Sequence, residues 1–260
     1  MTATTMTSHL PVLVRRAVLL AAVLLTSACA QLKADLNPDE SNYTWVVATP
    51  DRTDADRVND QRRQPEKLLQ FYGVRPGMRV LDMGATGGYN TELLARVVGA
   101  SGVVYAQNSP ALLQNIVKGR LDERMKRAAM ANVVPLAREF DDPVPADVRN
   151  LDLVTFNFIY HDTVGMGVDR AKMNRAVFDA LKRGGTYIVA DHSAKPGAGV
   201  DVAKTLHRIE ESVVRREVEA AGFKFVAVAD FLRNPADPRD TPVFKNPVKN
   251  DEFVLKFVKP

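Results

Sequence analysis

The chain has 260 residues, 46% of them hydrophobic and 25% charged, with 15 glycines, 15 prolines and a single cysteine. These proportions exclude a disordered chain, a collagen-like repeat and a disulfide scaffold, and the length suffices for one large domain with a sizeable core. The formal net charge of +4 comes without a basic stripe, and two of the cations, Arg15 and Arg16, lie in a segment expected to be removed, so nucleic acid is not an expected partner.

Residues 1–28 contain no acid, and Arg15-Arg16 precede the apolar run AVLLAAVLL of residues 17–25. A positive start, a short apolar stretch and small residues at its end form an export signal. Nine apolar residues are too few to span a bilayer core of about 30 Å. Two cleavages compete. Leu25-Thr26-Ser27-Ala28-Cys29 resembles a bacterial lipobox, which would lipidate Cys29 and anchor a periplasmic lipoprotein. Ala28-Cys29-Ala30 also reads as an A-x-A site, which would release a soluble protein. Residues 29–50 read as a tether, and 51–260 as the folded domain.

Along that domain the charged run 51–64 predicts a solvated helix, and Pro65 opens a second through Phe71. Strand and helix then alternate. Strands are expected over 79–83, 102–107, 133–136, 151–160 and 186–190. Helices are expected over 91–98, 110–130, 170–181 and 202–221. Residues 223–231 and 252–258 close as two strands with no long helix between them, so an antiparallel hairpin edge is expected. The segment 234–250, with four prolines, reads as a candidate flap. The fold class is α/β, a doubly wound, Rossmann-like, mostly parallel sheet whose ligands bind beyond the carboxyl ends of the strands.

The loop Asp82-Met83-Gly84-Ala85-Thr86-Gly87-Gly88-Tyr89 joins the first strand to a helix, with glycines that permit tight turning and close backbone approach. It resembles motif I of class I S-adenosylmethionine-dependent methyltransferases, with Asp82, Gly84 and Gly88 in place and Thr86 at the middle glycine. Leu151-Asp152-Leu153-Val154 through Asn157 resembles the family's fourth strand, and Leu181-Lys182-Arg183-Gly184-Gly185 the turn before its fifth. Residues 51–260 further resemble a group of exported bacterial predicted methyltransferases, through stretches such as Phe71-Tyr72-Gly73, Tyr160-His161-Asp162 and Asp191-His192-Ser193. The resemblance implies S-adenosylmethionine as cofactor, held by Asp82, Gly84, Ala85, Thr86, Gly87, Gly88, Asn108 and Asn157, and methyl transfer to an unidentified small-molecule or envelope acceptor. Two departures imply a weaker grip on that cofactor, or a different ligand. Asn108 stands where the family places a ribose-binding acid and lacks its charge. Thr86 adds a side chain on the cofactor's path. The cofactor is also made in the cytosol, at odds with export.

Three of the four histidines, His161, His192 and His207, fall at the carboxyl edge, beside Asp162, Asp191, Glu210 and Glu211. Three readings stay open: a general base, most simply His161 or His192; a metal site of His161, His192, His207 and a carboxylate; or hydrogen-bonded structural groups. At the level of the whole protein, a methyltransferase, an envelope enzyme of other chemistry and a non-catalytic binding lipoprotein compete. Neither the acceptor nor the oligomeric state is readable.

Overall fold

The computed structural model describes residues 42–260. The expected signal peptide, Cys29 and most of the expected tether lie outside the described residues. A single compact unit runs over Tyr43–Pro260, so it starts inside the stretch 29–50 expected as tether. The reason is local: Tyr43 donates its hydroxyl to Val74 O at 2.7 Å, and Val46 is fully buried.

Seven strands form one sheet in the order β3-β2-β1-β4-β5-β7-β6. They are β1 Arg79–Met83, β2 Val103–Asn108, β3 Val133–Ala137, β4 Leu151–Asn157, β5 Leu181–His192, β6 Lys224–Ala229 and β7 Glu252–Val258. The first five pair in parallel, and β7 runs antiparallel to both β5 and β6. This is the doubly wound sheet with an antiparallel edge that the alternation implies. The central strands are apolar on both faces because helices cover both. Val80, Leu81, Val154, Phe156, Ile188, Val189 and Leu255 are all completely buried, each worth about 1.5–3 kcal/mol of burial. Among the described residues no helix is long and apolar enough to cross a membrane.

Two expected helices differ, and a third holds a buried residue. The charged helix, Asp54–Arg63, is largely solvated as expected but turns one residue inward: Thr53 and Asp56 close a capping box at its start, and Asp56 is buried. The expected helix 110–130 is instead a broken run, because Lys118 and Gly119 both take left-handed φ angles of 48° and 77°. The expected helix 202–221 splits into Ala203–Leu206 and Glu211–Ala220. His207, at φ 53°, ends the first piece, and the next residues form a parallel bridge between Ile209 and Ser193. A helical turn there would give up the two backbone bonds Ile209 N to His192 O and Ala194 N to Ile209 O, both 3.0 Å.

Candidate functional site: a loop cavity beside a histidine cluster

The loop after β1 is held mainly from β2. Gly84 N donates to Gln107 Oε1 and Ala85 N to Gln107 O. Thr86, left-handed at φ 50°, donates its N–H to Asn108 Oδ1 at 2.8 Å and accepts from Asn108 Nδ2 at 3.3 Å. Asn108 is fully buried, and both ends of its amide are spent on Thr86. Asn108, expected to meet a ribose, here fixes the loop and does not line the cavity beside it. The glycines also have a packing cause. A Cβ on Gly84 would lie 3.0 Å from Ile159 and 3.1 Å from Phe156, and one on Gly88 would lie 2.9 Å from Arg124 and Leu121. Gly87 completes the loop and accepts at its carbonyl from Arg124 Nε at 2.8 Å.

Asp82 ends β1 and takes hydroxyl hydrogen bonds from Thr91 at 2.6 Å and Thr155 at 2.8 Å, and an amide bond from Asn90 at 2.8 Å. Burial raises its pKa, and these three donors pull against that rise. Asp82, Gly84, Ala85 and Thr86 line a cavity of about 150 Å³ with Arg63, Tyr72, Tyr89, Asn90, Asn157 and Phe158. Two buried donors of that lining have no hydrogen-bond partner, Arg63 Nη1 and Asn157 Nδ2. The Arg63 guanidinium stacks 3.4 Å from the Phe158 ring centroid, and burial, with Arg62 alongside, lowers its pKa to about 9. At neutral pH it is a cation short of an acceptor. Sequence reading missed Arg63, which is hidden in a run of seven other charges. It also missed Phe158, whose left-handed φ of 62° has no sequence signal. Tyr72, by contrast, stood within a matching stretch.

Phe158 follows β4 directly and packs its ring 5.1 Å from His192. It is the wall between the cavity and the histidines. His161 lies 5.8 Å from His192 and 5.5 Å from His207, ring centre to ring centre. The carboxyl edge thus does bring the three together, but none of them lines the cavity beside the loop. His161 is 2% exposed. Its Nδ1 sits 2.6 Å from Asp191 Oδ1, and its backbone N–H donates to Asp191 Oδ2 at 2.8 Å. Burial alone would lower the His161 pKa, yet the carboxylates of Asp191 and Asp162 hold it up to about 10. A ring protonated at neutral pH is no general base. Asp191, despite burial, is kept below the usual carboxylate range by His161. His192 faces Glu252 across the β5–β7 register, 3.1 Å from ring nitrogen to carboxylate, and burial lowers its pKa. His207 reaches Asp162 at 3.3 Å.

The remaining carboxylates disperse. Glu210 caps the backbone of Gly197 and Gly199, and Glu211 pairs with Arg233. Expected beside His207, they take other partners because the helix breaks there. The set able to share one ion is His161, Asp162 and His207, all ligand atoms within 4.8 Å of one another. The expected metal set changes accordingly: Asp162 is its carboxylate, and His192 drops out. The flap expectation concerns 234–250, and Phe244 of that segment packs its ring 5.0 Å from His207. Arg208, fully buried against Asp237 at 2.8 Å, anchors it.

Comparison with known proteins settles the architecture. A SAM-dependent methyltransferase from Aquifex aeolicus superposes with a TM-score of 0.56 at 20% identity, covering 80% of this chain and all of that one. The chain has the class I methyltransferase fold. The family model for protein-L-isoaspartate (D-aspartate) O-methyltransferase matches residues 49–137 of this methyltransferase-fold chain. An arsenite methyltransferase of Aquipseudomonas alcaligenes is 28% identical over 137 residues, 49% of this chain and 38% of that protein. The ubiquinone/menaquinone biosynthesis C-methyltransferase UbiE of Vibrio vulnificus is 31% identical over 121 residues, 46% of this chain and 44% of the relative. The match thus spans less than half the length of either relative.

Proposed function

We propose that this chain transfers a methyl group from S-adenosylmethionine to a small-molecule acceptor. The observation that carries the proposal is the pair of orphaned donors, Arg63 Nη1 and Asn157 Nδ2, on the cavity beside the motif loop. A buried polar group without a partner costs about 1–3 kcal/mol, more when charged, so both are poised for an acceptor. The carboxylate of the cofactor's amino-acid end has the charge and oxygen count to satisfy both. Bound, the cofactor supplies an electrophilic methyl group on a sulfonium. Arg63 and Asn157 would hold its carboxylate, and the backbone of Gly84 to Thr86 would border the rest. At the ribose end the fit is poorer, because Asn108 is already spent on the loop.

Among the described residues lining this cavity none is a histidine. Burial and neighbouring Asp82 push the Tyr72 phenol upward, and burial and Asp60 do the same to Tyr89, so neither accepts a proton near neutrality. An acceptor whose nucleophile is already deprotonated, such as a thiolate, an unprotonated amine or a stabilised carbanion, suits this site. Calorimetric titration with S-adenosylmethionine and S-adenosylhomocysteine tests the reading. Arg63→Ala should weaken binding at least tenfold, about 1.4 kcal/mol. Wild-type protein that binds neither compound would end it. For address, we propose export with lipid on Cys29, supported by the charged start, the apolar run and the only cysteine in the chain. An intact mass that retains residues 1–28 would refute this.

A further inference from the structure

The histidine cluster has no role in that proposal. Its geometry points to a site for one divalent transition ion, held by His161 Nε2, the Asp162 carboxylate and His207 Nδ1. We propose that this site binds a borderline ion of the zinc or ferrous type. The inference is independent of cofactor binding in the neighbouring cavity.

Three observations carry it. The first is spacing. His161 Nε2 lies 3.1 Å from Asp162 Oδ1, and His207 Nδ1 lies 3.3 Å from the same oxygen. Ligand atoms about 2.0–2.2 Å from a common ion, at tetrahedral or octahedral angles, stand roughly 3.0–3.6 Å apart. The second is an orphan. His161 is 2% exposed, yet its Nε2 makes no hydrogen bond of acceptable geometry despite the closeness of Asp162. Nε2 is thus aimed into the cluster with its own proton unmet, and an ion would take that proton's place beside Asp162. The third is the support behind that ring. Asp191 accepts from His161 Nδ1 at 2.6 Å, and is itself fixed by the backbone N–H groups of His161 and His192. A carboxylate behind a ligating imidazole keeps the proton on Nδ1 and orients Nε2 toward the metal once Nε2 gives up its own.

Two imidazoles and one carboxylate leave coordination positions for water or an anionic group, as in catalytic rather than structural sites. The donor set of nitrogen and oxygen without thiolate selects borderline ions over soft ones. The side chains of Asp162 and His207 are 28% and 34% exposed, so an ion can enter from solvent past Phe244. His192 is not a ligand: its nearest acidic partner is Glu252, on the far side of the sheet register from Asp162.

The test is calorimetric titration of the untagged, chelator-treated full chain with zinc chloride, repeated with cobalt chloride so that the visible spectrum reports ligand geometry. One ion per chain is expected, with the cobalt spectrum of a nitrogen–oxygen site. His207→Ala and Asp162→Asn should each weaken zinc at least tenfold, and Asp191→Asn should weaken it ten- to a hundredfold through the orienting bond. His192→Gln should leave the zinc affinity within twofold. Circular dichroism confirms that each variant is folded, and the partly exposed position of His207 makes its alanine variant the safest reading. Wild-type protein that takes up no stoichiometric zinc, or folded His207→Ala and Asp162→Asn proteins that bind it as wild type does, would overturn the proposal. Loss of S-adenosylmethionine binding would not touch it.

Discussion

The two regions on either side of Phe158 occupy the same strand ends and are built in opposite ways. The loop side is neutral scaffolding around orphaned donors: amides of Gln107 and Asn108 pin the backbone, and Arg63 and Asn157 are left with hydrogen to give. The histidine side is carboxylate scaffolding around an orphaned ring nitrogen: Asp191 pins His161, and Nε2 is left without a hydrogen-bond partner. One region asks for an anion and the other for a cation. Phe158, which lines the cavity, packs its ring 5.1 Å from that of His192.

If the regions are independent, damage should stay on one side. The largest effect is expected from Arg208→Ala. This leaves the carboxylate of Asp237, in the segment carrying Phe244, buried without its cation and held only by N–H donors from Arg239, Asn246 and Asp251. Removing one partner of a buried pair costs about 3–5 kcal/mol. Thermal unfolding should fall steeply, and at temperatures where the variant is still folded zinc should suffer while S-adenosylhomocysteine binding persists. Equal loss on both sides would show one coupled site. A smaller effect confined to the loop is expected from Asn108→Asp. The change restores the family's acid, yet it removes the donor to Thr86 O and sets a carboxylate against that carbonyl. Stability should drop by about 1–3 kcal/mol, and cofactor affinity should fall rather than rise. A gain in affinity would mean that the side chain swings to the ligand after all.

The smallest effect sharpens the comparison by pH. The folded pKa of His161 is raised above its ordinary value of 6.5, to about 10. In metal-free protein its contribution is therefore complete below about pH 6.5 and fades as pH climbs through 10. Asp56 behaves in the opposite sense. Burial opposes ionisation, yet Arg124 and Thr53 hold its carboxyl well below 3.8. Its contribution, which steadies Arg124 and through it the Gly87 carbonyl, is present above 3.8 and lost as pH falls below it. Hydrogen exchange should show alkali loosening the histidine side first, with the loop amides slower to respond. Simultaneous alkaline loosening of both would contradict the separation.

How much of this was legible depends on what each residue leans on. β1 and β7 could be read to the residue because apolar pattern and flanking turns agree. The two long helices were misread at Lys118 and His207, where a left-handed residue interrupts a pattern that otherwise continues. Nothing local forbids helix there, and it is the strand-end bridge at Ile209 that decides the second break. The position of Asn108 at a strand end was readable, but its partner, a backbone 22 residues away, was not. A charged helix is ordinarily solvated, so nothing in the sequence marks Arg63 as turned inward, and only the fold shows which cation meets the cavity.

The short bridge at Ile209 also gives the protein a built-in gauge. Its amide bonds His192 O and its carbonyl accepts from Ala194 N, so the stretches bearing His192 and His207 are stitched together at one completely buried residue. The two histidines therefore cannot part without breaking that stitch. Proton exchange at this one amide measures the free energy of prising the cluster apart, and its slowing on addition of an ion would register closure, with no change in the sheet required.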